Sequence, residues 1–317
     1  MGFGFIIQKM FYQSLTAMID SISFWYRTDD PEHIEKLTSL MKGHISIGMP
    51  IHMTSKSKAD NPIYPLRLEL TPNNIVRVSG SIHKYWNAPN YTNDTIFTWK
   101  NFENAIFKLM AELRIDLKWQ DPQITNLEIG LNYMLAFNVD EFLASLVYFK
   151  NHPFQYSKPA RGSVKKWGKE SVLTDYKVKF YNKAWLINKE LKSTKYLDER
   201  LLRFEITYGA HLQRNLKFST ITGLLKSMDI IKTTLKDFLK KVEMKSYTDY
   251  RSVSIEDIFC LEGYTNPEFS FNTRQLPKNT KQKLKRKYES TTKRLKSFPT
   301  KHESVLRAMI LEVDALC

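Results

Sequence analysis

Three observations predict an α+β fold, with a mainly antiparallel sheet and packed helices followed by a smaller, helical and basic region. First, both ends of the stretch Asp175 to Tyr208 alternate with period two. Tyr176, Val178 and Phe180 oppose Lys177, Lys179, Tyr181 and Lys183, and Leu202, Phe204 and Ile206 oppose Arg203, Glu205 and Thr207. Strict alternation marks half-buried strands whose second face is free to carry chemistry. Second, upstream segments of the same kind adjoin through short turns or are separated by segments of helical spacing, the pattern of an antiparallel sheet with helices. Third, beyond Gly209 the spacing becomes helical and the charge strongly basic. The last change sets a boundary near residue 210, between a mixed sheet region and a helical basic region at 211–317.

The first strand is read at 19–27, with Ile19, Ser21, Ser23 and Trp25 opposite Asp20, Ile22, Phe24 and Tyr26. A short helix follows between Asp30 and Lys42, with Asp-Pro at its head. Residues 44–53 read as a strand, and the polar, turn-rich 55–62 as an exposed loop. Leu66, Leu68 and Leu70 alternate with Arg67 and Glu69, and Thr-Pro-Asn-Asn then turns the chain into Ile75 to Val78. That arrangement is a hairpin. The apolar residues of Trp99 to Leu117 have helical spacing. In 124–135, Leu127, Ile129 and Leu131 oppose Glu128, Gly130 and Asn132, a strand with a carboxylate on its polar side. Residues 139–147, 221–244, 252–263 and 303–316 are read as helices.

The formal net charge of +15 on 317 residues attracts polyanions, nucleic acid first and anionic membrane surface second. No apolar run approaches the roughly 20 residues that span a bilayer. The two cysteines, Cys260 and Cys317, are far apart and lack metal-site spacing. Residues 1–17 lack the cationic head of a signal peptide, and Gln8 and Lys9 interrupt their apolar part.

VKFYNK at 178–183 followed by LLRFEI at 201–206 resembles the replication initiators of filamentous phages, the gene II family, and related rolling-circle plasmid initiators. MIDSISF at 18–24 is similar to the customary start of that family, so the resemblance covers 18–208. It implies a nickase that starts rolling-circle replication. Tyr181 would be the nucleophile, leaving a 5′-phosphotyrosyl link and a free 3′ hydroxyl, with 18–210 the catalytic region and 1–17 an extension ahead of it. It also implies single-stranded and duplex origin DNA, host helicase and polymerase as partners, and the cytoplasm of a bacterial host as the compartment.

Three residue sets are then candidates for the chemistry. Lys179 and Lys183, on the Tyr181 face, are expected to favour the phenolate and to neutralise phosphate. Glu69, Glu128 and Glu205 lie on polar strand phases, and their convergence would suit Mg2+ or Mn2+. No His has another His two positions away, so carboxylates must do most of the holding, with His83 a further candidate ligand. DNA contact is expected at His83, Lys84, Tyr85 and Trp86, where cations and aromatics interleave. Arg203, with Lys285, Arg286 and Lys287, completes that set. The last three lie in a run at 278–296 that holds nine Lys or Arg against one Glu. A DNA-binding protein that does not cut would keep the charge and the aromatics and leave Tyr181 structural.

Overall fold

The computed structural model of the chain describes residues 19–40, 51–53, 62–93, 95–157, 167–191, 200–209, 212–245, 256, 276–294 and 301–314. Strand β1 (Ile19–Arg27) leads to helix α1 (Pro31–Ser39), which Asp30 caps by accepting a hydrogen bond from the Glu32 N–H. Strands β2 (Ile51–Met53), β3 (Arg67–Leu70) and β4 (Ile75–Ser81) follow. The expected hairpin is β3–β4, but β4 runs on to Ser81. Its hydroxyl then caps a helix in what read as an irregular exit, α2 (Ile82–Trp86). Helix α3 (Trp99–Glu112) is capped by Thr98 and precedes the long strand β5 (Gln123–Met134).

Helix α4 (Val139–Ser145) is shorter than its apolar run, because the chain passes directly into β6 (Leu146–Phe149). Lys150 and Asn151, both at positive φ, turn it back into β7 (His152–Pro153). Next come β8 (Gln155–Tyr156), β9 (Gly168–Val172) and β10 (Tyr176–Asn182). Asn182 then accepts a hydrogen bond from the Trp185 N–H and starts α5 (Lys183–Leu191), a helix the alternation did not announce. Strand β11 (Leu201–Tyr208) leads into α6 (Leu212–Leu216), α7 (Ile221–Leu225), α8 (Met228–Leu239) and β12 (Val242–Met244). The basic run forms α9 (Lys278–Arg294), and α10 (Lys301–Asp314) is the last described helix. Residues 1–18, 44–50 of the expected second strand, most of 55–62 and the expected helix at 252–263, apart from Glu256, lie outside the described residues.

The strands form one nine-stranded sheet, in the order β2-β3-β4-β1-β5-β11-β10-β9-β8, and a small second sheet, β12-β6-β7. All the pairings are antiparallel. One face of the large sheet is apolar: Phe24, Val78, Leu127, Ile129, Phe204, Ile206, Val178 and Phe180 are all buried on it. Phe180 and Phe204 pack at 4.8 Å, and Phe142 of α4 lies 5.6 Å from Phe180. The amphipathic stripe of α8 (Ile231, Leu235, Phe238, Leu239) joins this cluster, as do Val305, Leu306, Met309 and Val313 of α10. Side chains beyond residue 210 therefore complete the core of the sheet rather than build a separate one, so no seam in the core falls at the expected boundary. Among the described residues, no helix is long and apolar enough to cross a membrane.

Strands β5 and β11 leave no room for a side chain at Gly130. A Cβ there would stand 2.3 Å from the Phe204 carbonyl oxygen, a backbone atom that cannot swing aside. Gly130→Ala is expected to force the two central strands apart and to cost about 1–3 kcal/mol. The check is the loss of stability in urea unfolding; an unchanged midpoint would mean that the approach is looser.

Candidate functional site

Register brings the polar residues together. On the face opposite the core, Tyr181 stands across from Arg203, and Arg203 across from Asn132. In the next row, Lys179 faces Glu205, which faces Gly130. One row further, Glu128 lies between Thr207 and Ser21, and Ser21 pairs with Ser81 of β4. Helix α5 covers one end of this face through Ala184 and Ile187, packed on Leu201 and Met134. A cleft of about 460 Å³ remains, lined by Asp20, Lys84, Glu128, Trp167, Lys179, Tyr181, Lys183 and Glu205 among others.

The guanidinium of Arg203 sits at the centre and is fully buried. Its Nη2 lies 3.1 Å from Asp20 Oδ2 and 3.9 Å from Glu128 Oε1, and its Nε donates to Glu205 Oε2 at 3.2 Å. Nη1 donates to Asn132 Oδ1 at 3.0 Å. A buried cation with ionised carboxylates and an amide oxygen around it is held in place, since moving it would leave its charge unpaired inside the protein. Arg203 is therefore an organiser of the site and does not lie on a surface that DNA could reach, which corrects its expected role.

Asp20 is the member that strand alternation missed. Strict period two puts it on the core face with Ile22 and Phe24, but the register of β1 on β5 shifts between Ile19 and Ser21. The irregularity turns the carboxylate to the polar side, a common use of a bulge. There Asp20 accepts hydrogen bonds from the Ser81 hydroxyl at 2.6 Å and the Asn93 amide at 2.7 Å. Asn93 also accepts from Lys183 Nζ at 2.6 Å, tying the loop after α2 to the start of α5. The visible signal was a carboxylate inside an otherwise apolar strand phase.

Tyr181 is 5% exposed, and its hydroxyl donates to Glu205 Oε2 at 3.1 Å. Burial, and then the negative charge of Glu205, push the phenol well above its ordinary value. The expected easing of ionisation by Lys179 and Lys183 is thus outweighed: both lysines are near, but the phenol is buried and donates its proton to a carboxylate. Lys179 Nζ lies 3.7 Å from Glu205 Oε1. Desolvation lowers Lys183 to about 8, despite the attraction of Asp20. Burial would raise Glu205, but Arg203 and Lys179 hold its carboxylate below the usual range. Glu128 is the opposite case: burial, Glu205 and Asp20 all raise its carboxyl, which hydrogen-bonds to Glu205.

The three carboxylates expected to hold a metal do not converge. Glu128 and Glu205 are adjacent, but Glu69 lies on the same sheet face four residues along β1, across from Arg77, whose Nη1 is 3.9 Å away. Asp20 occupies the place foreseen for Glu69, with its oxygens turned to Arg203, Ser81 and Asn93. Among the described residues, no group of three or more His, Cys, Asp or Glu is arranged to hold a metal ion. A guanidinium fills the position between the carboxylates, and Glu128, with 21% of its side chain exposed, is the most exposed of the three acids that line the cleft.

The expected DNA-contacting exit is divided. His83 is fully buried, stacked on Phe97 at 4.4 Å and within 3.1 Å of the Thr95 hydroxyl. Tyr85 is buried beneath Lys108, and Trp86 packs against the core. His83 and Tyr85 are buried and Trp86 half-buried because α2 turns its apolar side to the sheet, and Lys84 alone of the four lines the cleft. Arg286 and Lys287 are exposed on α9, and Lys285 is partly exposed beside Glu289.

The buried charges make stability depend on acid. Burial alone would raise Asp20, but Arg203 and Lys183 overcome it and hold the carboxyl at about 2. Its contribution is complete above the unfolded value near 4 and is lost as pH falls from about 4 towards 2, an effect of about 2–3 kcal/mol. Asp20→Asn is expected to be destabilised by about 3 kcal/mol at neutral pH and to lose less than the wild type between pH 4 and 2. Urea unfolding across that range checks it, and parallel pH profiles would remove Asp20 from the charge cluster.

No family model matches the chain, and no curated protein matches it.

Proposed function

We propose that the chain nicks one strand of origin DNA through Tyr181 and so starts rolling-circle replication of a phage or plasmid. The observation that carries this reading is the hydrogen bond from the Tyr181 hydroxyl to Glu205 on the wall of a cation-lined cleft. A general base must lie within hydrogen-bond reach of the proton it takes, and 3.1 Å satisfies that. The Tyr181 oxygen attacks the phosphorus as its proton passes to Glu205. The bond to the 3′ oxygen breaks, and that oxygen leaves with a proton for which the Lys183 ammonium is the donor in the cleft. The products are a 5′-phosphotyrosyl strand and a free 3′ hydroxyl, a polarity taken from the gene II resemblance.

Lys179, Lys183 and Lys84 supply positive charge where the phosphate would sit, and Arg203 keeps Glu205 ionised and oriented. Mg2+ or Mn2+ entering with DNA would find Glu128 as its ligand on the protein, and would polarise a phosphoryl oxygen. A second reading, a DNA-binding replication or regulatory protein that does not cut, is favoured by the burial and the raised phenol of Tyr181. Basic helix α9 serves either reading as a grip on duplex phosphates.

The test is a denaturing-gel assay with single strands from the replicon that encodes the chain, run with Mn2+ and with EDTA. Wild-type protein is expected to form a DNA-shifted band with Mn2+ and to lose it in EDTA. Tyr181→Phe, which lacks only a hydroxyl, is expected to form no band while binding DNA normally, and Glu205→Gln to slow the adduct by about 10²-fold or more. A shifted band from Tyr181→Phe would move the nucleophile. No band from wild-type protein that binds the strand would leave the non-cutting reading.

A second outcome concerns α9. Replacing Lys283, Arg286 and Lys287 with Ala is expected to lower the salt dependence of duplex binding, by a log–log slope of about one for each phosphate that the helix no longer neutralises. An unchanged slope from binding titrations in increasing salt would mean that the helix does not touch DNA.

A further inference from the structure

Beside Tyr181 the cleft has an aromatic wall that no step of the proposed reaction uses. Trp167 lines the cleft and meets Tyr181 edge-on at 5.2 Å, with the ring planes at 80°. Trp185, on the first turn of α5, lies nearly parallel to Trp167 at 16° and 6.3 Å. Each indole carries a cation: Lys179 Nζ is 5.3 Å from the Trp167 ring and Lys189 Nζ 5.1 Å from the Trp185 ring. Both indoles are partly exposed, and Lys189 is exposed. The Trp167 Nε1–H is buried and has no hydrogen-bond acceptor among the described residues. Two partly exposed indoles kept nearly parallel at the edge of a polar cleft, one of them on the capped start of a helix, present flat apolar faces beside cations.

We propose that Trp185, braced by Trp167, is the stacking platform for one unpaired nucleobase of a DNA strand whose phosphate enters the cleft. The proposal rests on the nucleic-acid reading above and specifies that the bound strand is single. The competitor for the Trp185 face is Lys189, and magnitudes favour the base. A cation over an exposed ring is worth about 0.5–1 kcal/mol, whereas base–aromatic stacking is worth about 1–3 kcal/mol. Lys189 also keeps its charge interaction on leaving the ring, because its ammonium moves onto the phosphate of the stacked nucleotide. Lys84, Lys179 and Lys183 continue that positive lining into the cleft. The stacking surface expected at Trp86 is thereby relocated to a position beside Tyr181, since Trp86 packs against the core and does not line the cleft.

The experiment compares a 15-nucleotide oligo(dT) with an abasic strand of equal length and charge, by fluorescence anisotropy with the full chain. Wild-type protein is expected to prefer oligo(dT). Trp185→Ala is expected to reduce that preference by about fivefold to a hundredfold, and Trp185→Phe to retain most of it. Affinity for the abasic strand and its salt slope should be the same in all three, which also shows that the variants are folded. An unchanged preference in Trp185→Ala, including equal weakening on both strands, overturns the platform. So does a wild type that binds the two strands equally, although the nucleic-acid reading then stands. Wild-type protein that binds neither strand overturns both.

Discussion

The buried guanidinium of Arg203 is the constraint on which the rest of the polar face depends. A guanidinium cannot shed its charge at any relevant pH, so once β11 places it inside, the surroundings must supply anions and acceptors. Four strands and a loop respond: Asp20 from β1, Glu128 and Asn132 from β5, Glu205 from β11 itself, Tyr181 from β10 through Glu205, and Asn93 through Asp20. Each link fixes an orientation that the next one uses. The cleft is thus a consequence of charge compensation as much as of backbone shape.

The same cluster sorts its acids by environment. Glu205 and Asp20 lie beside cations and keep their charge, whereas Glu128 is pressed by both of them and holds its proton more tightly. Neighbouring carboxyls with diverging proton affinities can divide the tasks of accepting and holding a proton. In this arrangement Glu205 is the acceptor for Tyr181, and Glu128 is the group turned to whatever enters the cleft. The apolar face makes this possible: Phe180 and Phe204 alternate with Tyr181, Arg203 and Glu205, so the residues that anchor the core also fix the register of the polar row.

Helix α5 closes one end of the polar face. Its first residue, Lys183, ends the Tyr181 strand in the cleft, its Ala184 and Ile187 pack on Leu201, and its Trp185 reaches Trp167. Strand, cap and aromatic wall are therefore coupled by chain continuity and side-chain contact. That coupling is why a nucleobase seat next to Tyr181 is physically coherent, whereas the aromatics after β4, drawn inward by α2, serve packing.

The sequence by itself determined the strands β1, β3, β4, β5, β10 and β11, because period-two alternation is local and each strand has one buried face. It also determined the polar phase that carries Tyr181, Arg203, Glu205 and Glu128, and the one-signed charge of α9. Tertiary structure alone decided which polar residues meet. Alternation assigns a face but no position along the sheet, so Glu69 and Glu128 read alike until register placed them in different rows. A bulge reverses the face of a single residue, which hid Asp20 in the core phase of β1. Burial turned Arg203 from an expected DNA-binding residue into the centre of the site. Short helices begun by a single side-chain cap, α2 at Ser81 and α5 at Asn182, have too few turns to show a period, so the fates of His83, Tyr85 and Trp185 became legible only in three dimensions.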